Sequence, residues 1–385
     1  MRKTAIIYTI LPRLGGSSGV CLSLSKLLLE ANVKIEVWTI EPPGEATNKV
    51  LEAELERMGV HVVNAPGWMR GRISLLQQAF FLLRGILAVK RADILIVIGM
   101  NRASAPICWS VRARRSLYYY INHDPLTATF RRLPRLANVF TWVVLNAGNT
   151  LPELKRAGHG NVLGNFTTIP QLSEFPYEGP ASAAGVSRST MKVVFMGALI
   201  ETKGIREIAE AWATEAPEGC SLHIFGDGLQ RERIEQLCRA GDGRTPGGGE
   251  PRVEYHGRYR LADRDAALNR ILKGADLFVL PSKGEGEGLP TVLLEALCAG
   301  VPVVATSYGG LASLSKGYYP DLPDGIRLCS TAGFMDAVRD LVGDIRSGRI
   351  DNSKIRSFYL AHFADEQVQG KWRQVLGTQA WAPRC

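Results

Sequence analysis

Short apolar runs alternate along the chain with segments in which hydrophobic residues recur at helical spacing. In the first half, the runs predict β-strands at residues 3–11, 35–40, 60–65, 93–100, 117–122 and 141–146. Residues 45–58, with Val50, Leu51, Leu55 and Met58 at helical spacing, are typical of the helices predicted between them. Continuous apolar strands that alternate with helices indicate a parallel sheet covered on both faces.

The alternation restarts in the second half after an interruption. Residues 178–190 contain small residues, glycine and proline without an apolar period, which indicates a linker. Further strands are predicted at residues 192–196, 221–225, 252–256, 276–280 and 302–305. The expected fold class is α/β, with two Rossmann-like doubly wound domains facing a cleft, at residues 1–178 and 191–360. Residues 361–385 contain a final helix that we expect to pack across the N-terminal domain.

Composition narrows the class of protein. The chain has 385 residues, of which 46% are hydrophobic and 22% charged, as in soluble globular proteins, and no apolar run is long enough to span a bilayer. The seven cysteines are scattered without a CxxC pair, which favours a reduced, cytoplasmic protein without structural zinc. Pro12 and Arg13 end the first apolar run too early for a signal peptide.

The net charge of +9 is concentrated in one stretch. Residues 67–137 contain twelve basic and two acidic residues, so the rest of the chain is nearly neutral. Within this stretch, the Trp68 loop (residues 66–72) mixes an aromatic side chain with cations, and an apolar helix at residues 73–89 follows. We expect the loop and one edge of the helix to contact an anionic membrane surface. The alternative is an ordinary helix buried against the sheet.

Residues 282–310 are the most informative segment. A predicted strand leads into a glycine-rich loop, and Pro290 stands where a helix should begin. That helix is predicted to run to about Ala299, with Gly300 as its stop. The amides of Gly288 and Leu289, together with the positive end of the helix, predict an anion site.

Two glutamates flank this predicted anion site. Glu287 lies in the loop and Glu295 in the helix, with seven residues between them. A carboxylate accepts two hydrogen bonds at once and therefore suits the vicinal hydroxyls of a ribose or a hexose. An anion site beside two such acceptors indicates a sugar nucleotide as ligand. The alternative is that both glutamates are solvated surface charges.

The segment resembles the E-x7-E region of glycosyltransferase family 4, a family of retaining enzymes with the GT-B fold. The resemblance covers roughly residues 193–310 and is weak in the first half of the chain. It rests on these motifs in the family order: VFMG (194–197), KG (203–204), IFGDG (224–228), YHG (255–257), the E-x7-E segment and GG (309–310). It implies that residues 1–178 bind the acceptor and residues 191–360 bind the nucleotide sugar.

The resemblance also implies roles for residues of the second half. Glu295 would hold the ribose hydroxyls of the donor, with Pro290 opening its helix, and Glu287 would contact the transferred sugar, for which Glu285 is the rival. Lys203 would neutralise the diphosphate of the leaving group without a metal, although a solvated lysine in a turn is the alternative. Arg258, with Tyr259, could flank the nucleotide base.

In the first half, the resemblance rests on two short motifs. Gly15 and Gly16 would let the backbone approach the donor diphosphate, and a purely structural turn is the alternative. His123 would lie near the donor sugar, where it could hydrogen-bond a hydroxyl, unless Asp124 simply caps a helix beside it. The other histidines share no metal-ligand spacing, and we expect them to be structural.

The second half departs from the family pattern at one position. Family members usually carry an arginine between the glycine and the leucine that follow the first strand, and Ala198 stands there. Arg206, Arg258 or Arg13 could replace that phosphate contact. The departure also leaves room for an inactive subunit.

The expected function is a metal-independent hexosyltransferase that moves a sugar, with retention, from a nucleotide-diphosphate sugar to a saccharide or lipid-linked acceptor. The enzyme would act in the biosynthesis of cell-surface polysaccharide or lipopolysaccharide. We expect it in the cytoplasm, and we expect it to need no further cofactor. The alternatives are a nucleotide-sugar epimerase of the same fold and an inactive sugar-nucleotide-binding subunit. A nicotinamide dehydrogenase is disfavoured because GGSSG follows the first strand instead of GxGxxG. Nucleic-acid binding is disfavoured because the sequence shows no exposed aromatic platform on which bases could stack.

Overall fold

The chain divides into two compact units. The computed structural model describes residues 4–9, 16–39, 46–63, 83, 92–98, 115–120, 142–150, 152, 166–172, 175–179, 190–240, 253–258, 264–283 and 288–376. Unit 1 comprises Met1–Leu172 together with Asp365–Cys385, and unit 2 comprises Ser173–Ala364. Most of the predicted linker, the Trp68 loop, nearly all of the helix after it and the glycine-rich segment at 241–251 lie outside the described residues.

Unit 1 contains a seven-stranded parallel sheet. Its strands are β1 (Thr4–Thr9), β2 (Lys34–Thr39), β3 (His61–Val63), β4 (Ile94–Ile98), β5 (Arg115–Tyr120), β6 (Trp142–Leu145) and β7 (Phe166–Thr168). They are arranged in the order β3-β2-β1-β4-β5-β6-β7, with every pair parallel. The order reverses at β1, as in doubly wound folds. Every residue of β4 is buried, as a strand covered on both faces requires.

Unit 2 contains a six-stranded parallel sheet. Its strands are β8 (Met191–Met196), β9 (Cys220–Phe225), β10 (Val253–Gly257), β11 (Leu277–Leu280), β12 (Val303–Thr306) and β13 (Ile326–Cys329). Their order is β10-β9-β8-β11-β12-β13, again with every pair parallel. The order reverses at β8, so this sheet has the same doubly wound plan as the first.

The helices described in the two units connect successive strands or follow the last one. In unit 1 these are α1 (Gly16–Glu30) and α2 (Ala46–Arg57). In unit 2 they are α3 (Ile205–Glu215), α4 (Arg231–Ala240), α5 (Arg264–Lys273), α6 (Thr291–Cys298), α7 (Phe334–Arg346) and α8 (Asn352–His362). Among the described residues, no helix combines the length and the hydropathy needed to cross a bilayer.

The last helix, α9 (Asp365–Leu376), packs in the core of unit 1 although it follows unit 2 in sequence. Val368, Trp372 and Leu376 are buried in one cluster with Ile7 of β1 and Ile96 of β4. Asp365 and Glu366 occupy its first turn, where negative charge stabilises the helix dipole. An ion pair between Arg373 and Glu30 of α1, 3.8 Å between Nη2 and Oε2, lies at its surface.

The sequence pattern missed two strands and misplaced one helix start. β7 has three half-buried residues and β13 only one buried residue, so neither presents a continuous apolar run. β5 begins at Arg115, two residues before the predicted strand. Pro290 precedes α6 as its extended N-cap residue instead of forming the first helical turn.

Candidate functional site

The motifs of unit 2 lie at one edge of its sheet. Because all six strands are parallel, their carboxyl ends meet at the same edge, where open α/β sheets bind ligands. Gly197 follows β8, Gly226 follows β9, Arg258 follows β10 and Pro281 follows β11. The candidate site is therefore a set of loops at this carboxyl edge.

Lys203 lies in a turn that contacts the loop after β11. Glu201–Lys203 forms a short 3-10 turn, and Gly204 ends it in the left-handed conformation, with φ of 66°. A Cβ atom on Gly204 would lie 2.0 Å from the carbonyl oxygen of Pro281. The amide of Lys283 donates a hydrogen bond of 2.8 Å to the carbonyl of Thr202. Glycine after Lys203 is thus required both by the turn and by this close approach.

The Gly226-Asp227-Gly228 motif, in the loop after β9, contacts the loop after β8 and the last residue of β10. The Gly226 amide donates to the carbonyl of Gly257 at 2.9 Å, and the Leu199 amide donates to the carbonyl of Asp227 at 2.9 Å. Gly226 and Gly228 have φ of 152° and 158°, and a Cβ on either would collide with backbone of the β8 loop. The glycines therefore let the two loops approach each other closely, with no side chain between them.

The start of α6 has the features of an anion site. Gly288 and Leu289 are buried, and Pro290 adopts an extended conformation with no side-chain hydrogen bond to cap the helix. The first backbone N–H groups of a helix have no intrahelical acceptor, and they carry the positive end of its dipole. This arrangement suits a phosphate at the loop and helix start.

Glu295 is the most unusual carboxylate among the described residues. It lies in α6 and is only 1% exposed. Its Oε1 accepts a hydrogen bond from the Arg264 guanidinium, whereas its Oε2 is buried with no hydrogen-bond partner. Burial raises the pKa of Glu295 to about 7, although the nearby Arg264 charge opposes that rise. A buried acceptor without a donor is costly, and a ligand hydroxyl would relieve that cost.

Arg264 is a site residue that the sequence analysis did not identify. It is the first residue of α5, and it bonds Asp265 at 2.9 Å between Nη1 and Oδ1 in addition to Glu295. It holds Oε1, whereas Oε2 is buried without a hydrogen-bond partner. Because 31 positions separate the two residues in sequence, no local pattern could have predicted their contact.

Glu207 at the start of α3 forms a second charged group at this edge. Its Oε1 lies 2.6 Å from Nζ of Lys283 and 2.8 Å from Nη2 of Arg206. Partial burial alone would raise the pKa of Glu207, but the hydrogen bonds from Lys283 and Arg206 outweigh it and lower that pKa to about 2. Arg206, one of the replacements considered for the family arginine, is thus already paired with a carboxylate.

The structure describes the positions of three further residues from the sequence analysis, and seven others lie outside the described residues. Arg258 is exposed beyond β10, Ala198 is exposed beyond β8, and Gly16 is the first residue of α1. The predictions that fall outside the described residues are those for Arg13, Gly15, His123, Asp124, Tyr259, Glu285 and Glu287. For the donor site, the structure therefore brings the Lys203 turn, the α6 start and Glu295 into one unit.

The second half of the chain matches a known family. A sequence model described as Glycosyl transferases group 1 matches residues 190–344. The matched range begins beside β8 and ends within α7, so it contains the Lys203 turn, the Gly226 motif, Arg264 and Glu295.

Two curated relatives match in part. TuaC of Bacillus subtilis, assigned to teichuronic acid biosynthesis as a glycosyltransferase, is 35% identical over 122 residues, which are 31% of this chain and 26% of TuaC. The N-acetyl-alpha-D-glucosaminyl L-malate synthase of Bacillus anthracis is 24% identical over 196 residues, 50% of this chain and 46% of that protein. The chain thus spans less than half the length of either relative in these matches.

Solved structures match along nearly the whole chain. Anabaena Alr3699/HepE, crystallised with UDP and glucose, superposes with a TM-score of 0.70 at 17% identity, covering 97% of this chain and 98% of that one. At this identity the likeness shows the fold alone, and that fold is GT-B.

Proposed function

We propose that the protein is a retaining glycosyltransferase, because a sequence model described as Glycosyl transferases group 1 matches residues 190–344 and the chain has the GT-B fold. It transfers a sugar from a nucleotide-diphosphate sugar to a saccharide or lipid-linked acceptor. UDP is the first donor nucleotide to test, because HepE was crystallised with it.

One observation carries the proposal. Glu295 is buried at the carboxyl edge of a doubly wound sheet, with Oε1 held by Arg264 and Oε2 without a partner. A carboxylate fixed in this way accepts hydrogen bonds from a hydroxyl-bearing ligand, as the ribose of a nucleotide supplies. The α6 start, two helical turns or less from Glu295 in sequence, supplies positive charge for the diphosphate.

The transfer step follows from the charges at the site. The bond between the anomeric carbon and the diphosphate oxygen breaks, and the acceptor hydroxyl oxygen bonds to that carbon on the same face. The hydroxyl proton passes to the departing phosphate, and a nucleoside diphosphate is released. Lys203 and the amides near Gly288 stabilise the negative charge that develops on the leaving group, so the proposed step uses neither a metal nor a further cofactor.

The remaining roles come from the family resemblance. Glu287 holds hydroxyls of the transferred sugar, which is a hexose, and Gly15 and Gly16 approach the diphosphate. His123 hydrogen-bonds the donor sugar, and Arg258 flanks the nucleotide base. These assignments extend the proposal beyond the described residues.

The acceptor belongs to cell-surface polysaccharide biosynthesis in this proposal. The assignment of TuaC to teichuronic acid biosynthesis supports that context. We place the protein in the cytoplasm, with its basic stretch at residues 67–137 against an anionic membrane surface where lipid-linked acceptors lie. Recovery with anionic but not neutral vesicles in flotation tests the membrane contact, and equal recovery with both contradicts it.

An inactive donor-binding subunit is the second candidate, because Ala198 replaces the family arginine and is exposed. The test is incubation of the protein with UDP-, GDP- and ADP-hexoses, with and without lipid-linked oligosaccharides, followed by chromatography of the nucleotides and sugars. Acceptor-dependent release of a nucleoside diphosphate, lost in Lys203→Ala and kept in Lys273→Ala, is the expected result. Epimerisation of the donor would indicate an epimerase instead. Donor binding without turnover would indicate an inactive subunit.

A further inference from the structure

Three side chains with metal-binding atoms meet on one face of the sheet of unit 2. His223 lies in β9, and Glu254 and His256 lie in β10, which is the edge strand of the described sheet. His223 is directly opposite Glu254 in the strand register, and His256 is two positions further along β10. The pairing of β9 with β10 is irregular between Tyr255 and Gly257, and the short distances from Glu254 to both histidines place the three side chains on the same side.

The distances among their ligand atoms are those of a coordination site. Nδ1 of His223 lies 2.9 Å from Nε2 of His256, and Oε2 of Glu254 lies 3.6 Å and 3.5 Å from those two nitrogens. A single point about 2.0 Å from all three atoms exists in a triangle of this size, and that is the bond length of Zn²⁺ to imidazole nitrogen and carboxylate oxygen. The three atoms could therefore bind one ion with little movement once the proton between Nδ1 of His223 and Nε2 of His256 is released to solvent or moved to Nδ1 of His256.

The surrounding side chains orient the two imidazoles. Ser221 Oγ lies 2.9 Å from Nε2 of His223. A neutral His223 that donates its Nε2 proton to this hydroxyl leaves the Nδ1 lone pair facing Glu254 and His256. Metal-binding histidines are typically fixed in this way by a hydrogen bond at the other ring nitrogen. The His256 ring stacks on Phe225, with ring centroids 4.4 Å apart, which restricts its rotation.

Solvent can reach the group from the strand edge. The side chain of His223 is 7% exposed, whereas those of Glu254 and His256 are 30% and 34% exposed. An ion would thus bind two ligands at the surface and one in the interior, and water could complete a tetrahedral site.

We propose that His223, Glu254 and His256 form a binding site for a borderline divalent metal ion, with Zn²⁺ as the ion to test. Two imidazoles and one carboxylate are ligands that Zn²⁺ accepts, whereas Mg²⁺ and Ca²⁺ prefer oxygen ligands alone. The ion links the edge strand β10 to β9 and has no part in the transfer step proposed above. The sequence spacing did not indicate it, because 33 positions separate the two histidines and only the strand pairing brings them together.

The site is tested by titrating Zn²⁺ into the chelator-treated, full-length chain in a calorimeter. Because His223 is buried, the variants are made at the more exposed ligands, as His256→Ala and Glu254→Gln. His61→Ala is the matched control, since His61 is also an exposed histidine on an edge strand. We expect one ion per chain for the wild type and for His61→Ala, and an affinity at least ~10-fold lower for the other two variants.

X-ray absorption at the zinc edge identifies the ligands. The proposal predicts nitrogen and oxygen neighbours at about 2.0 Å, whereas binding by cysteines would give sulfur at about 2.3 Å. Absence of Zn²⁺ binding to the wild type, sulfur in the shell, or unchanged affinity in His256→Ala would each overturn the proposal. In that case the two histidines form only a neutral hydrogen-bonded pair.

Discussion

At the residue scale, the burial of Glu295 lowers the stability of the fold, and the same residue has the proposed role of binding the donor. Its carboxylate is buried with one oxygen unpaired, and its pKa is raised to about 7 by burial. Proteins retain such groups where function requires them, at the expense of stability. Arg264 thus holds one carboxylate oxygen of Glu295, while the other oxygen is buried without a hydrogen-bond partner.

The raised pKa of Glu295 predicts how stability depends on pH. The folded protein holds a proton on Glu295 at pH values where the unfolded chain has lost it, so the contribution of this group is full below about pH 4.5 and is lost as pH rises through 7. Glu295→Gln cannot ionise. We expect its melting temperature, relative to that of the wild type, to rise between pH 4.5 and 7 and then to level off, with a free-energy difference of up to about 3 kcal/mol at ~1.4 kcal/mol per pKa unit.

A contrasting variant checks this assignment. The pKa of Glu207 is lowered to about 2, so its stabilising contribution is present above pH 4.5 and is lost only as pH falls toward 2. Glu207→Gln should therefore be less stable than the wild type at neutral pH, with the difference shrinking in acid. Parallel pH profiles for the two variants would show that burial at Glu295 does not control its ionisation.

The Lys203→Ala variant tests whether the charge of Lys203 stabilises the leaving group in the transition state. We expect Lys203→Ala to lower kcat by about 10²–10³-fold, because a cation aimed at developing negative charge stabilises the transition state more than the ground state. Steady-state kinetics with a saturating donor measure this. Lys273→Ala, an exposed lysine in the same unit, should leave kcat unchanged. An increase in KM alone for Lys203→Ala would assign Lys203 to ground-state binding instead.

At the element scale, glycines hold the loops of the carboxyl edge together. Gly204 has φ of 66° and leaves no room for a Cβ beside Pro281, whereas Gly348 has φ of 71° and no atom within 4 Å of a Cβ position. We expect Gly348→Ala to cost about 1–2 kcal/mol for its left-handed backbone alone. Gly204→Ala should cost more in chemical denaturation and also weaken donor binding, because the Lys203 turn must move. Equal costs for the two variants would contradict the importance of the close approach.

The sequence predicted those strands and helices that show a clear local pattern of apolar residues. The fully buried strands β4, β11 and β12 were evident as apolar runs, and a final helix was predicted within residues 361–385, where α9 lies. β7 and β13 were missed because strands that are partly exposed lack a continuous run. The Arg264–Glu295 pair and the His223–His256 pair depend on tertiary pairing, which no window of sequence contains.

At the scale of the whole molecule, the chain returns to its first unit after completing the second. Trp372 of α9 is 1% exposed in the core of unit 1. Trp372→Ala should destabilise that unit by about 3–5 kcal/mol, as for other large core truncations. Hydrogen exchange should accelerate in β1 and β4 and stay unchanged in β8 and β11, because the units have separate cores. Gln374→Ala, at an exposed position of the same helix, is the control, and uniform acceleration in both sheets would contradict independent cores.

The central claim is that the free oxygen of Glu295 accepts hydrogen bonds from the ribose of a nucleotide donor. Calorimetry of UDP, GDP and ADP and of their 2′,3′-dideoxy counterparts, at about pH 8 where Glu295 is mostly ionised, tests it in the wild type and in Glu295→Met. For the nucleotide that binds, loss of the hydroxyls should weaken the wild type by about 10-fold or more and leave Glu295→Met nearly indifferent, since hydrogen bonds to a charged group contribute ~1.5–3 kcal/mol. An equal loss in both proteins, or no binding of any of the three nucleotides, would contradict the claim.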